Sequence, residues 1–177
     1  MEKIKIGILS TANIGLRSVI PAIQLLEDTY ELKGIASRDH SKAKKVADEL
    51  GIQAYDYDGL LNSDLDAVYI PLPNSMHYEW VMKALRQGKH VLVEKSMGMN
   101  LLEVMEMNEV AKQHGLALVE NFQFRFHRQL KVIMHLVDSG KIGELRCMRS
   151  SFGFPLFPDK ENIRYQAELG GGALFDA

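Results

Sequence analysis

Short apolar runs alternate with longer amphipathic ones along the first 120 residues of the chain. Residues 4–9 are apolar with Lys5 interleaved, the pattern of a strand near the middle of a sheet. Small residues at 10–15 predict a turn. The spacing of Val19, Ile20, Ile23 and Leu26 predicts a helix over 16–27, with Pro21 early in it, where a missing N–H costs least. Residues 30–36 read as the second strand. Ser41 then opens a polar helix through Val46, Ala47 and Leu50, and Gly51 closes it.

The alternation continues with a strand at 52–55, a helical turn at 57–62, a strand at 67–70 and a helix at 75–87 stopped by Gly88. A strand at 90–93, a helix capped by Asn100 and running to His114 before Gly115, and a strand at 116–120 complete the series. Strands separated by helices predict an α/β fold, a Rossmann-type doubly wound parallel sheet with helices on both faces. After Glu120 the rhythm changes. Leu130, Ile133, Met134 and Val137 predict an amphipathic helix over 126–139, and 145–154 reads as a strand longer than those before it. The expected organisation is a dinucleotide-binding domain at 1–120 and the beginning of an α+β domain at 121–177. The glycine run at 170–172 and the apolar residues after it read like a domain interior cut short.

Composition narrows the function. A hydrophobic share of 46% with 25% charged residues is that of a soluble globular protein. A net charge of -2 argues against a nucleic-acid partner. The single Cys147 excludes an internal disulfide and fits a reducing compartment. No apolar run has signal-peptide length or approaches the ~20 residues of a membrane span, so a cytoplasmic protein with no membrane partner is expected. The six histidines form no metal-ligand spacing, and no metal is expected.

A dinucleotide fingerprint uses glycines for a tight strand-to-helix turn and close approach to a pyrophosphate. Here the stretch is Ser10, Thr11, Ala12, Asn13, Ile14 and Gly15, which keeps only the last glycine and which a plain βα turn also explains. The end of the second strand says more. NAD enzymes place an acid there for the ribose 2′-hydroxyl, whereas this chain has Ser37 and Arg38, a hydroxyl and a cation suited to a 2′-phosphate, with Lys42 nearby. Asp39 leaves NAD open, and an ordinary solvated arginine is the bland alternative.

Taken together, these segments resemble the Gfo/Idh/MocA oxidoreductases, and within them the NADP-linked dihydrodiol and sugar dehydrogenases. The resemblance runs through residues 10–14, 36–39, 66–77, 88–95 and 120–127, and then 162–164 and 170–176. It implies that Ser10, Thr11, Ala12, Asn13 and Ile14 hold the pyrophosphate and that Ser37, Arg38 and Lys42 hold the 2′-phosphate of NADP. It places Pro71, Leu72, Asn74 and His77 along the nicotinamide ribose, and Glu94 and Arg164 against the cofactor. Lys95 corresponds to the lysine that holds the reacting hydroxyl of a small sugar-like substrate, chemistry to which a positioned acid/base is suited. The family's proline after that lysine is Ser96 here, which leaves either a trans turn or a retained cis bond. Relatives carry a histidine or tyrosine acid/base beyond the aspartate matching Asp176, and they dimerise through the second domain. The expected function is therefore an NADP-dependent dehydrogenase, and the alternative is a non-catalytic NADP-binding module or an inactive fragment of such an enzyme.

Overall fold

The computed structural model describes residues 2–153, 155–159 and 161–176. Six strands form one parallel sheet: β1 (Ile4–Ile8), β2 (Tyr30–Ala36), β3 (Gln53–Tyr55), β4 (Ala67–Ile70), β5 (His90–Val93) and β6 (Leu118–Glu120), in the order β3-β2-β1-β4-β5-β6. The strand order reverses direction between β1 and β4. In open α/β sheets that switch point is where ligands settle, at the carboxyl ends of the strands.

Alternation along β4 shows how the two faces are filled. Val68 and Ile70 point to one side, where they pack with Val91 and Val93 of β5. That side is covered by Trp80, Val81 and Leu85 of α4 (Asn74–Arg86), by Met107 and Ala111 of α5 (Leu101–Gln113), and by Leu60 and Leu61 of α3 (Tyr57–Leu61). Tyr69 points to the other side and joins Ile6, Ile8 and Ile35. There the cover comes from Ile20 and Ile23 of α1 (Ile20–Leu25) and Ala47 of α2 (His40–Leu50). Past α1 this second face is open, a groove of about 750 Å³ lined by Ile4, Ile23, Leu92 and Val119. No helix among the described residues is long and apolar enough to cross a membrane.

Several elements differ from their expected bounds for local reasons. Pro21 has no N–H to return to the preceding turn, and that turn, Gly15–Val19, is widened to π geometry before α1 begins. Helix α2 starts one residue earlier than expected, because Asp39 caps it by accepting from the Ser41 N–H at 3.0 Å. Gly51, at φ 69°, ends it as expected. Strand β6 is shorter than 116–120, because the Leu116 N–H is spent on the Ala111 carbonyl in closing α5.

After β6 a 3-10 turn, Gln123–Phe126, leads into α6 (Arg128–Asp138), within the expected helix. The strand expected at 145–154 is a correction: residues 145–153 form no strand, and residue 154 lies outside the described residues. A strand exists only through its ladder partners, and among the described residues no segment pairs with this one. Two further 3-10 turns, Ile163–Tyr165 and Ala167–Leu169, precede the short α7 (Ala173–Asp176), which lies back against the sheet domain.

Candidate active site

Except for His77 and Arg164, the residues singled out from the sequence collect along the carboxyl edge of β2, β1, β4 and β5. After β1, Ser10 Oγ accepts from the Ala12 N–H at 3.0 Å, which folds the loop tightly just before the helical turn closed by Leu16 N–H on the Ala12 carbonyl. Asn13 and Ile14 are exposed at the start of that turn, where backbone N–H groups lack helical partners. Gly15 is buried under Tyr69 and Pro71, but a Cβ there would sit 3.5 Å from Tyr69 Cε1, an ordinary contact. The retained glycine of the fingerprint is therefore not sterically obligatory.

At the end of β2, Ser37 is buried and its hydroxyl accepts from the Asp39 N–H at 3.2 Å, while Arg38 and Lys42 are exposed. The Asp39 carboxylate is committed to Ser41, whose N–H and Oγ both donate to Oδ1, at 3.0 and 2.6 Å. Those hydrogen bonds hold its carboxyl below the ordinary carboxylate range. Tyr57, at the start of α3, reaches the same corner. Burial pushes its phenol above 10, while the adjacent Arg38 guanidinium and backbone pull it back.

Beyond β4, Pro71 and Leu72 are buried and Asn74 begins α4 with its Nδ2 donating to the Gly170 carbonyl at 2.8 Å. His77 differs from its expected place along the ribose: its ring is fully buried and turned into the protein. Nδ1 lies 2.6 Å from the Ser96 carbonyl and Nε2 2.8 Å from the Leu72 carbonyl, which leaves neither nitrogen for a ligand. Burial pushes the ring below its ordinary 6.5, against the pull of the two carbonyls and of Glu94.

Beyond β5, Glu94 and Lys95 are half-buried. Glu94 Oε1 accepts from the Tyr69 hydroxyl and from Asn121 Nδ2, each at 2.6 Å. Burial first, and then the Glu94 carboxylate, push the Tyr69 phenol well above its ordinary value. The bond from Lys95 to Ser96 is cis. The turn after it is tied down by Met97 N–H donating to Glu120 Oε1 at 2.7 Å and Ser96 Oγ donating to the Phe175 carbonyl at 2.9 Å. Residues 170–175 thus lie across the ends of β4 and β5, beside Asn74 and Ser96. Arg164 is half-buried, with its guanidinium 4.7 Å above the Phe157 ring, and its carbonyl accepts from the Gly172 N–H.

Sequence reasoning missed Tyr69, Asn121 and Glu120. Tyr69 had a signal, since a tyrosine within an aliphatic central strand needs a buried partner for its hydroxyl. Glu120 and Asn121 lie in a segment that carries the resemblance, but nothing local marks their bonds to Met97 and Glu94, 23 and 27 residues away along the chain.

Two family models match the chain: the oxidoreductase family with an NAD-binding Rossmann fold over residues 4–122, and the GFO/IDH/MocA C-terminal domain over residues 130–177. Among curated proteins, it is 41% identical over 98% of its length to a dTDP-3,4-didehydro-2,6-dideoxy-alpha-D-glucose 3-reductase of Actinomadura kijaniata. It is 44% identical over 96% of its length to the D-xylose 1-dehydrogenase (NADP(+)) 2 of Haloferax volcanii. The chain spans about half the length of these relatives, 52% of each. Among solved structures, a 3-ketoreductase from Actinomadura kijaniata in complex with NADP and TDP-benzene superposes with a TM-score of 0.92 at 41% identity, over 99% of this chain and 54% of that one. The apo scyllo-inositol dehydrogenase of Lactobacillus casei gives 0.72 at 29% identity, over 81% of this chain and 43% of that one. The family match covers most of the chain and the sheet order agrees with it, and the chain belongs to the GFO/IDH/MocA oxidoreductase family.

Proposed function

We propose that residues 1–120 form the NADP-binding domain of an oxidoreductase that moves a hydride between the nicotinamide and a carbinol carbon of a sugar, polyol or dihydrodiol. Residues 121–177 are, in this reading, the beginning of the substrate domain. The observation that carries it is the corner after β2: the acid that would hold a free ribose hydroxyl, Asp39, is committed to Ser41, and Arg38 stands exposed beside buried Ser37. A planar cation and a hydroxyl there fit a 2′-phosphate, with Lys42 in the first turn of α2. Small residues at Ser10 and Ala12, with Thr11 between them and Asn13 and Ile14 opening the helical turn, fit a pyrophosphate. A relative named for NADP(+) and a similar structure containing NADP support the same cofactor.

The bound nicotinamide supplies the hydride acceptor or donor. Lys95, at the end of β5, is placed to hold the reacting oxygen and to take or return its proton, which eases charge change on that oxygen. Glu94, oriented by Tyr69 and Asn121, faces the cofactor ribose, and Pro71, Leu72 and Asn74 form the wall beside it. Arg164, whose guanidinium lies over the Phe157 ring and whose carbonyl holds the Gly172 N–H, would reach the cofactor from the segment that crosses this edge. His77 acts from beneath the wall. Exposed apolar side chains at Leu145, Met148 and Phe152 are consistent with assembly through the second domain.

The test is fluorescence titration with NADPH and NADH, followed by turnover on a panel of sugars and polyols. Replacing Arg38 with alanine removes a charge-assisted contact of about 1.5–3 kcal/mol, so NADPH affinity should fall roughly 10- to 150-fold while NADH changes little. Equal losses for both cofactors overturn the 2′-phosphate assignment. Tight NADPH binding without turnover on any substrate favours the second reading, a nucleotide-binding module, toward which Ser96 in place of the family's proline points.

A further inference from the structure

One imidazole lies between the two loops that build the catalytic edge. β4 and β5 are neighbours, with Ile70 opposite Val93, and the loop after each carries part of the proposed site. His77 projects from the first turn of α4 and places Nε2 against the Leu72 carbonyl in the loop after β4. Its Nδ1 meets the carbonyl of Ser96, the residue that follows Lys95 in the loop after β5. The ring has 0% exposure, so water does not compete for either carbonyl. A neutral ring carries one N–H and holds one loop at a time, and the shorter contact, 2.6 Å, is the one to Ser96. No other side-chain hydrogen bond to the Ser96 or Leu72 carbonyl is found among the described residues.

We propose that His77 is a positioning residue: its Nδ1–H grips the Ser96 carbonyl and so fixes the direction of the Lys95 amine relative to the Pro71–Asn74 wall. The idea rests on the reading of Lys95 as the group that meets the substrate hydroxyl. It does not need His77 to touch substrate or cofactor, and the buried ring excludes that. Lys95 is half-buried and has its own interaction within the protein, so its accessibility reports how firmly the turn is held.

The experiment uses the full chain, with the His77→Phe and His77→Gln variants. The rate at which an amine-reactive ester labels Lys95 is read by mass spectrometry against Lys44, which is exposed on α2. In His77→Phe the Lys95 rate should rise about two- to tenfold, the range that one hydrogen bond supports. The preference for NADPH over NADH, carried by Ser37 and Arg38 at the far corner after β2, should stay within about twofold. His77→Gln, which retains an amide N–H, should lie between wild type and His77→Phe. Unchanged Lys95 labelling in a folded His77→Phe protein overturns the proposal. If that variant does not fold, ring 15N shifts of His77 in the unsubstituted chain decide: a protonated Nδ1 supports the proposal and a bare Nδ1 overturns it. Failure of the unsubstituted chain to bind NADPH would sink the cofactor reading alone, since the labelling comparison needs no cofactor.

Discussion

Replacing Tyr69 with phenylalanine isolates one bond at the heart of the site. The ring is fully buried between β1, α1 and β5, and phenylalanine keeps its shape, so packing changes little. What is lost is the hydroxyl that donates to Glu94 Oε1 at 2.6 Å. A hydrogen bond to a charged acceptor contributes about 1.5–3 kcal/mol, and Asn121 remains as the other donor to that oxygen, which places the expected loss toward the lower end. For a chain of this size, each kcal/mol lowers Tm by roughly 2–4 °C, so a drop of about 3–6 °C is expected.

Urea unfolding followed by circular dichroism measures the same quantity, and an unchanged slope would show that the denatured state is unaltered. The pH dependence adds a second signature. Burial and Glu94 raise the folded-state pKa of this phenol above its unfolded value near 10, so its stabilising contribution is complete below that pH. The contribution is lost as the pH climbs from 10 toward the folded value, and the variant should lose less stability there than the wild type. A destabilisation below about 0.5 kcal/mol, the level of an ordinary surface change, with an unaltered alkaline limb would refute the view that Tyr69 orients Glu94.

Other substitutions test the rest of the frame. Gly15→Ala should change stability by less than about 1 kcal/mol, because its Cβ meets Tyr69 and Pro71 at 3.5 and 3.6 Å. Gly34→Ala should cost about 1–3 kcal/mol, because its Cβ would lie 2.6 Å from Tyr55 Cε2 and 3.1 Å from the Gln53 carbonyl. Chemical denaturation of the pair checks both, and equal effects would show that the β2–β3 contact yields. Asp39→Ala should lower Tm by removing the cap of α2 while leaving the ratio of NADPH to NADH affinity unchanged. Its carboxyl is held below 3.8 in the folded state, so the cap's contribution is present at neutral pH and lost as pH falls from that value through the folded one. A selective change in NADH binding would instead place Asp39 on the ribose.

Local chemistry was readable in the sequence because its causes are local. The 2.0 and 3.6 residue periods mark which side of each strand and helix is buried, and Asn100, Gly51 and Gly88 stand at helix ends for reasons confined to one turn. Arg38 stood out because a cation replaces the acid expected after the second strand, and Lys95 only because its segment resembles the family's motif.

The sheet order and the partners of Glu94 were decided only by the tertiary structure. Tyr69 lies in β4 while Glu94 and Asn121 directly follow β5 and β6, strands far apart in the chain, and one carboxylate oxygen collects both bonds. His77 shows the same limit: its spacing on α4 is compatible with facing a ligand, and only the approach of the Leu72 and Ser96 carbonyls turns the ring inward. Residues 145–153 carry strand-like composition yet form no strand, since a ladder requires a second segment alongside. The periodicity of the chain determines which elements can form, and contacts between distant segments decide which side chains meet and therefore what the edge of this sheet can do.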